Sequence, residues 1–420
     1  TVIPASGNFA GIWKGGYRGW DGGSFDWSEA SRVFPSTNVN TSTMTVIDLT
    51  NANSRAFRGV DMSRDTLTVA FDGFVFRNSR VTQPGYDGGA LAVGSRFAGN
   101  ATTAPNVLNC VFLNNRTTGD GGALWHSARF GLSSNLWFIG NHADTNGGAA
   151  FLTAGNLSRT VSNIVCIGNS AGARGGAIAA AVDLDMGVGT FIDNTSGTEG
   201  GAVYNGPNTV CRLRRCAFLH NTAGTYGGAV GHSEYKAAAV DMENCLVASN
   251  NASSGYAVYM SGAYIQDASP NIYLRYTTVA DNPNGGVRTW ISSFNGPTGQ
   301  FFLSATNCII ANNGPAGLSA SDATASSIRF GIDHNIVYGQ AANYHDLATN
   351  AVHPNDRNVD PWFAGNGDYN LNGWSKAMDS AIHIGITNDL LNAGRPRGGG
   401  YDRGCYESPP PRHGTLITIN

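Results

Sequence analysis

The side chains that could do chemistry in this sequence are few, and several stand just ahead of a Gly pair. Asp87, Asp120, Asn146, Arg174 and Glu199 each occupy that position. Asp87 and Asp120 would stack as two carboxylates in adjacent repeats, weak candidates to hold Ca2+ or to raise one carboxyl's pKa. The plainer reading makes them solvated turn charges, with Arg174 and Glu199 paired along the same edge. His126 and His232 share a repeat position but lie four repeats apart. At parallel-strand spacing that is about 19 Å, too far to ligate one metal, so both read as turn or surface residues. Cys110, Cys216, Cys245 and Cys308 also share a position. They read as a ladder of small buried hydrophobes, with a local Cys211–Cys216 bridge or a Cys405 staple as alternatives. No Cys-x-x-Cys spacing points to zinc.

Cleaving a polysaccharide needs a compact acid/base cluster. Inverting hydrolases set two carboxylates about 6.5–9.5 Å apart, and lyases need a base, often Lys or Arg, beside a Ca2+-bound uronate. None of Lys14, Lys236 and Lys376 is flanked by acids within a repeat core, and no Gly-His-Gly or Arg-Ile-Lys run occurs. No catalytic residue is assigned, and no cofactor is expected beyond Ca2+. A glycan-binding or glycan-degrading protein remains the alternative to a non-enzymatic role. With 13% charged residues and a net charge of −3, the chain has no electrostatic footprint for nucleic acid and no polybasic membrane patch. No stretch approaches the roughly 20 apolar residues of a membrane helix. The chain opens with Thr-Val-Ile-Pro rather than a basic, then apolar, segment, so an exported form would have lost its leader.

The elements that hold these residues follow from a repeat. A Gly-Gly pair followed by Ala or Val recurs at Gly88, Gly121, Gly147, Gly175, Gly200, Gly227 and Gly285, with a degenerate copy at Gly255. Successive separations are 33, 26, 28, 25, 27, 28 and 30 residues by subtraction, a fixed unit with insertions. A second element precedes each pair: Cys110-Val-Phe112…Asn115, Leu136-Trp-Phe138…Asn141, Ile164-Val-Cys166…Asn169, and onward through Asn194, Asn221, Asn250, Asn282 and Asn313. Its first copy reads as Gly73-Phe-Val75…Asn78. Short strands between Gly and Asn turns, without a 3.6 period, exclude a helical array; a Gly pair in every unit would weaken its helices. Such a unit cannot bury its apolar face alone, so neighbours must stack. The expected fold is all-β: a single-stranded right-handed parallel β-helix with terminal caps. Each turn Asn would bond its counterpart in the next coil, and Gly-Gly would supply positive φ.

Residues 1–60 read as an N-terminal cap and first coils, 61–340 as the repeats, 341–407 as a C-terminal capping module, and 408–420 as a Pro-rich spacer and terminal strand. Three surfaces stand out. The Ala column after each Gly pair (Ala90, Ala123, Ala149, Ala177, Ala202, Ala229, Ala257) reads as a tight inner corner. Two residues on, Trp125, Phe151, Tyr204 and Tyr259 are core if strand alternation holds, or an outward strip for sugar stacking if the Gly corner breaks it. In the strand before each Asn, Cys110 and Phe112 should face inward. That leaves Val111 and Leu113, Trp137 and Ile139, Val165 and Ile167, and Leu219 outward. Strands apolar on both faces belong to sheets covered on both sides, so a loop, the terminal module or another molecule should lie there.

The paired Gly-Gly-Ala and Phe-x-x-Asn elements resemble bacterial right-handed β-helix surface proteins, including chlamydial polymorphic outer-membrane proteins. The terminal run Asp360-Pro-Trp-Phe363, Asp368-Tyr-Asn-Leu371, Ser375-x-Ala-Met-Asp379, Arg395-Pro-Arg397 and Asp402-Arg-Gly-Cys-Tyr-Glu407 resembles the terminal module of secreted choice-of-anchor β-helix proteins. Lys376 replaces the usual Pro there, and Arg403 and Cys405 replace Ile and Ala. The resemblance implies export and surface association, and it carries no catalytic residues.

The function expected is therefore an extracellular structural or adhesive protein at the cell surface. Its partner would be itself, as a homopolymer joined end to end or by pairing of the strand Thr415-Leu416-Ile417-Thr418-Ile419, or a surface glycan. Sequons at Asn40, Asn100, Asn115, Asn156, Asn194 and Asn251 would permit glycosylation.

Overall fold

The computed structural model describes residues 11–14, 45–50, 53, 56–60, 69–84, 86–94, 106–127, 133–153, 159–233, 238–263, 271–292, 301–322, 328–347 and 354–409. One coil, residues 106–127, shows why the chain winds. The strands Asn106–Leu108 and Val111–Leu113 are separated by Asn109, and the second ends at Asn114. Both Asn residues are left-handed, at φ 52° and 53°, a conformation Asn tolerates because its short amide bonds locally. Arg116–Thr117 follows, and Gly121 (φ 71°) then turns the chain into Leu124–Ser127. Four short strands and three left-handed corners thus make the described path of one coil.

Successive coils pair in parallel: Phe112 beside Phe138, Thr117 beside Ala143, Leu124 beside Ala150. The first two strands of every coil merge into a 20-stranded sheet, the third strands form a 7-stranded sheet, and the fourth an 11-stranded sheet. The described residues contain no helix. The architecture is the right-handed parallel β-helix that the repeat predicts.

The two glycines of a pair have separate reasons. Gly121 supplies the positive φ; a Cβ on Gly122 would instead lie 1.9 Å from the Gly148 carbonyl oxygen of the next coil. The second Gly is thus required by contact between coils rather than by conformation. The Ala column lines the tight inner corner, each residue 1% exposed or less. Phenylalanines stack behind it, with ring centroids 5.3 Å apart for Phe76–Phe112 and 4.8 Å for both Phe112–Phe138 and Phe191–Phe218.

Asn115, Asn141, Asn169, Asn194, Asn221, Asn250, Asn282 and Asn313 form a buried ladder. Asn141 Nδ2, for example, donates to Asn169 Oδ1 at 2.9 Å and to the Phe112 carbonyl at 3.0 Å, while Asn141 Oδ1 accepts from Asn115. Each rung satisfies backbone groups that would otherwise be stranded at a buried corner, at about 1–3 kcal/mol per orphaned group. The ladder starts one residue later than Gly73…Asn78 suggests. Val75 pairs with Val111, so Asn78 matches the left-handed Asn114, and Ser79 takes the rung position and donates its N–H to Asn115 Oδ1.

Two other expectations are corrected by the corner geometry. His126 and His232 are buried, not turn or surface residues, and His232 Nδ1 lies 2.7 Å from the Asn205 carbonyl oxygen. Ala123 and Leu124 both point into the core, so alternation restarts after the Gly corner, turning Trp125 outward and His126 inward. Asn115 and Asn194 are ladder rungs with no exposed amide, so neither can accept a glycan in the folded protein.

Residues 354–409 contain little regular structure, a two-stranded antiparallel hairpin of Phe363–Gly365 and Asp368–Leu371 aside. Arg357 bridges to Ile336 on the last coil, and the chain then doubles back along the outside of the 20-stranded sheet. Tyr369 Oη donates to Asp281 (2.9 Å), Ile382 N–H to Asn307 Oδ1 (3.0 Å), and Asn244 Nδ2 to the Asn388 carbonyl (2.8 Å). The strand expected at 415–419, and most of the cap expected in 1–60, lie outside the described residues.

Candidate functional site

Carboxylates ahead of the Gly pairs are spent on the coil above them. Asp87 Oδ1 accepts the Asp120 N–H at 3.0 Å. Asp120 Oδ1 accepts the Asn146 N–H at 3.0 Å, its Nδ2 at 2.9 Å and the Thr145 hydroxyl at 2.6 Å. The two carboxylates thus follow one another up the rod. Among the described residues no three His, Cys, Asp or Glu side chains gather as a metal site. Arg174 Nε lies 3.2 Å from Glu199 Oε2, and the Ser233 hydroxyl donates to the other Glu199 oxygen.

The aromatic column faces outward, because alternation restarts at the Gly corner. Its rings are nonetheless occupied. Trp125, Tyr204 and Tyr259 are buried, and Phe151 is half-buried. The Arg174 guanidinium lies over the Tyr204 ring at 5.0 Å, and Tyr226 stacks on Tyr259 at 4.4 Å. Burial pushes the Tyr259 phenol up to about 12, so this hydroxyl stays neutral at ordinary pH.

All seven cysteines are free thiols and buried, so neither proposed disulfide forms in this structure. Burial pushes Cys110, Cys308 and Cys405 up to about 12. Without a thiolate they cannot act as nucleophiles, and they pack as small hydrophobes.

The outward column of the second strand is where the molecule divides. Cys110, Phe112, Phe138, Cys166, Phe191 and Phe218 point into the core, which turns Val111, Leu113, Trp137, Ile139, Val165, Ile167, Ile192 and Leu219 the other way. Val75 and Val111 are buried, with Trp137 packed against them. Leu113, Trp137, Ile139, Val165, Ile167 and Ile192 are half-buried. Farther along, Ala217, Leu219, Leu246, Ala248 and Ala280 lie under Tyr369, Leu390, Cys405 and Tyr406, and Ile309, Ala311 and Ile336 lie under Leu371, Ala377 and Met378. The C-terminal module closes this part of the strip.

Buried charges hold the module in place. Arg395 and Glu407 form a fully buried ion pair at 2.8 Å. Arg395 also reaches Asn244 Oδ1 (3.2 Å) on the coils and lies over the Tyr276 ring at 4.3 Å. Arg403, 1% exposed, donates to the Asn335 carbonyl at 2.6 Å and the Ser380 carbonyl at 3.1 Å. Asp402 accepts the N–H groups of Asp379 and Ser408, both at 2.8 Å, yet burial still raises its carboxyl to about 6. The charged residues of the terminal motif are therefore docking parts. Two aromatics that sequence reasoning did not single out, Trp362 and Trp374, are 50% and 73% exposed.

Fold and flank together define a parallel β-helix whose accessible features are lateral strips and a docked terminal module. Against known families, the model of the Chlamydia polymorphic membrane protein repeat matches residues 109–127. That segment holds the outer strand, the ladder residue Asn115, the Gly pair and the strand Leu124–Ser127 of one coil. No curated protein and no solved structure matches the chain.

Proposed function

We propose that this chain is an exported, surface-displayed β-helix rod with a structural and adhesive role, and that it associates with a second copy through the outward strip from Leu113 to Ile192. The observation that carries this reading is the contrast along one column. The apolar outward face of the second strands is covered by the module from Ala217 onward and left half-buried between Leu113 and Ile192. An apolar strip of this kind on a rod marks a contact surface. The match to a repeat of a polymorphic membrane protein supports a surface location, as does the likeness of the terminal motif to choice-of-anchor modules. Ile139, Ile167 and Trp137 supply the contact, and Val111 packs beneath Trp137.

Sedimentation velocity over a concentration series tests this, using the full chain, an Ile139→Lys/Ile167→Lys double variant and a chain lacking residues 410–420. The full chain should associate with rising concentration. The double variant should stay monomeric and still unfold in one cooperative transition, and the truncated chain should still associate. Association lost only on truncation would replace the strip with pairing of the strand 415–419. Monomers in all three samples would refute self-association.

A further inference from the structure

We propose that the terminal module carries a carbohydrate-binding cleft between Trp362 and Trp374, with Asp360 and Lys376 as its polar contacts. The inference goes beyond the rod's self-association and uses a different face. The cleft is an open hollow of about 470 Å3, lined by these four side chains. A second hollow, lined in part by Arg357 and Ser380, shares Trp374 and Lys376 with it.

The tryptophans are exposed by construction. Trp362 sits in the left-handed region at φ 52°, a conformation that costs a bulky residue energy and persists only where its surroundings fix it. Asp360 Oδ1 accepts its N–H at 2.7 Å, and its carbonyl accepts the Asn372 N–H at 2.9 Å. Ser375, whose hydroxyl donates to the Pro361 carbonyl, ties the second segment to the first. From Trp374 to Ala377 the chain alternates: Ser375 and Ala377 are buried, so Trp374 and Lys376 both project into solvent. The adjoining hairpin is anchored to the coils through Tyr369 and Asp281. Two indoles are thus held apart on a rigid support, the preorganisation that a binding site requires.

The chemistry selects the ligand. A pyranose ring offers an apolar C–H face to an indole and a rim of hydroxyls to charged and polar groups. Lys376 forms no ion pair among the described residues, and one oxygen of Asp360 remains beyond the bond to Trp362. An ammonium donor and a carboxylate acceptor beside flat aromatic faces suit hydroxyls. A purely apolar partner would strip water from both charges without pairing them. Lys376 is one of only three lysines in the chain, the others being Lys14 and Lys236.

The test is binding of the full chain to an array of neutral and uronate-bearing oligosaccharides, followed by titration of the best-bound glycan into Trp374→Ala, Trp362→Ala and Lys376→Ala. Trp374→Ala should weaken binding at least about tenfold while leaving the melting temperature and the sedimentation behaviour unchanged. Because Trp362 is strained, its variant is read only if its melting temperature matches the parent. Lys376→Ala should weaken uronate-bearing glycans more than neutral ones. No glycan bound on the array, or binding that Trp374→Ala leaves within about twofold, would overturn the cleft. Self-association, measured on the same samples, reports separately on the outward strip.

Discussion

Leu246, Ile309 and Ile336 stand on the same outward face of the second strands as Trp137, Ile139 and Ile167, yet the first three are sealed and the second three half-buried. The Asn ladder and the parallel register run through both. The difference is applied from outside, by the C-terminal segment, which folds back and docks through buried charge. A solenoid repeats its core by necessity, because each coil completes the next, but nothing obliges it to repeat its cover. Function in such a fold is to be sought where the cover changes.

The largest effect should come from undocking the module. Arg395→Met leaves Glu407 buried without its partner, at a cost of about 3–5 kcal/mol. Hydrogen exchange should then show the outer strands at Leu246–Ala248 and Ile309–Ala311 opening like those at Val111–Leu113, which should not change. Next come the ladder rungs. Asn169→Ala and Asn282→Ala each orphan buried partners and should destabilise by about 3 kcal/mol, equally in the two regions. An unequal loss would mean that the module supports the interior as well as the flank. Smaller still is the cost of the column itself. Ile309→Ala should cost about 2 kcal/mol and Ile139→Ala about 1 kcal/mol in dilute protein, since only the first lies in a closed environment.

Acid should separate the regions by sign. The Asp402 carboxyl is raised from 3.8 to about 6, mainly by burial, and burial raises Asp356 and Glu407 too. Between pH 4 and 6 the folded module therefore binds more protons than the unfolded chain. The stability this gives is full below pH 4 and lost as pH rises through 6. On the other region, burial alone would raise Asp144, but hydrogen bonds from His142 and Arg116 outweigh it and hold its carboxyl below the usual range. Its contribution is lost as pH falls. Acidification from pH 7 to 5 should thus raise amide protection, measured relative to the intrinsic exchange rate at each pH, in the module and not in the coil around Asp144, and Asp402→Asn should flatten the module's response.

Much of the fold was legible because a solenoid writes its geometry periodically. Asn141, Gly121 and Ala123 each recur in phase, and the recurrence named both the ladder and the corner. Less visible was the reset of alternation at the Gly corner. Ala123 and Leu124 share one direction, so His126 went inward against expectation and Trp125 outward. Spacing also could not show that Tyr226 and Arg174 already occupy the rings of Tyr259 and Tyr204, since those contacts join neighbouring coils. The loss of the repeat beyond the last coil was visible in the sequence, but the partners on which residues 354–409 dock were not. Arg403 and Cys405, departures from the resembling pattern, meet Asn335 and Thr278 across long sequence separations. Trp362 and Trp374 carried a weaker signal, two indoles in a segment with no repeat to bury them.

Hydroxyl-radical footprinting of the full chain, dilute and concentrated, tests most directly whether one apolar column is closed internally on one half and kept for a partner on the other. The expected result is labelling of Trp137, Ile139 and Ile167 in dilute protein, protection of the same residues on concentration, and protection of Leu246, Ile309 and Ile336 throughout. Labelling of the first three that does not change with concentration, or labelling of the last three in dilute protein, would contradict it.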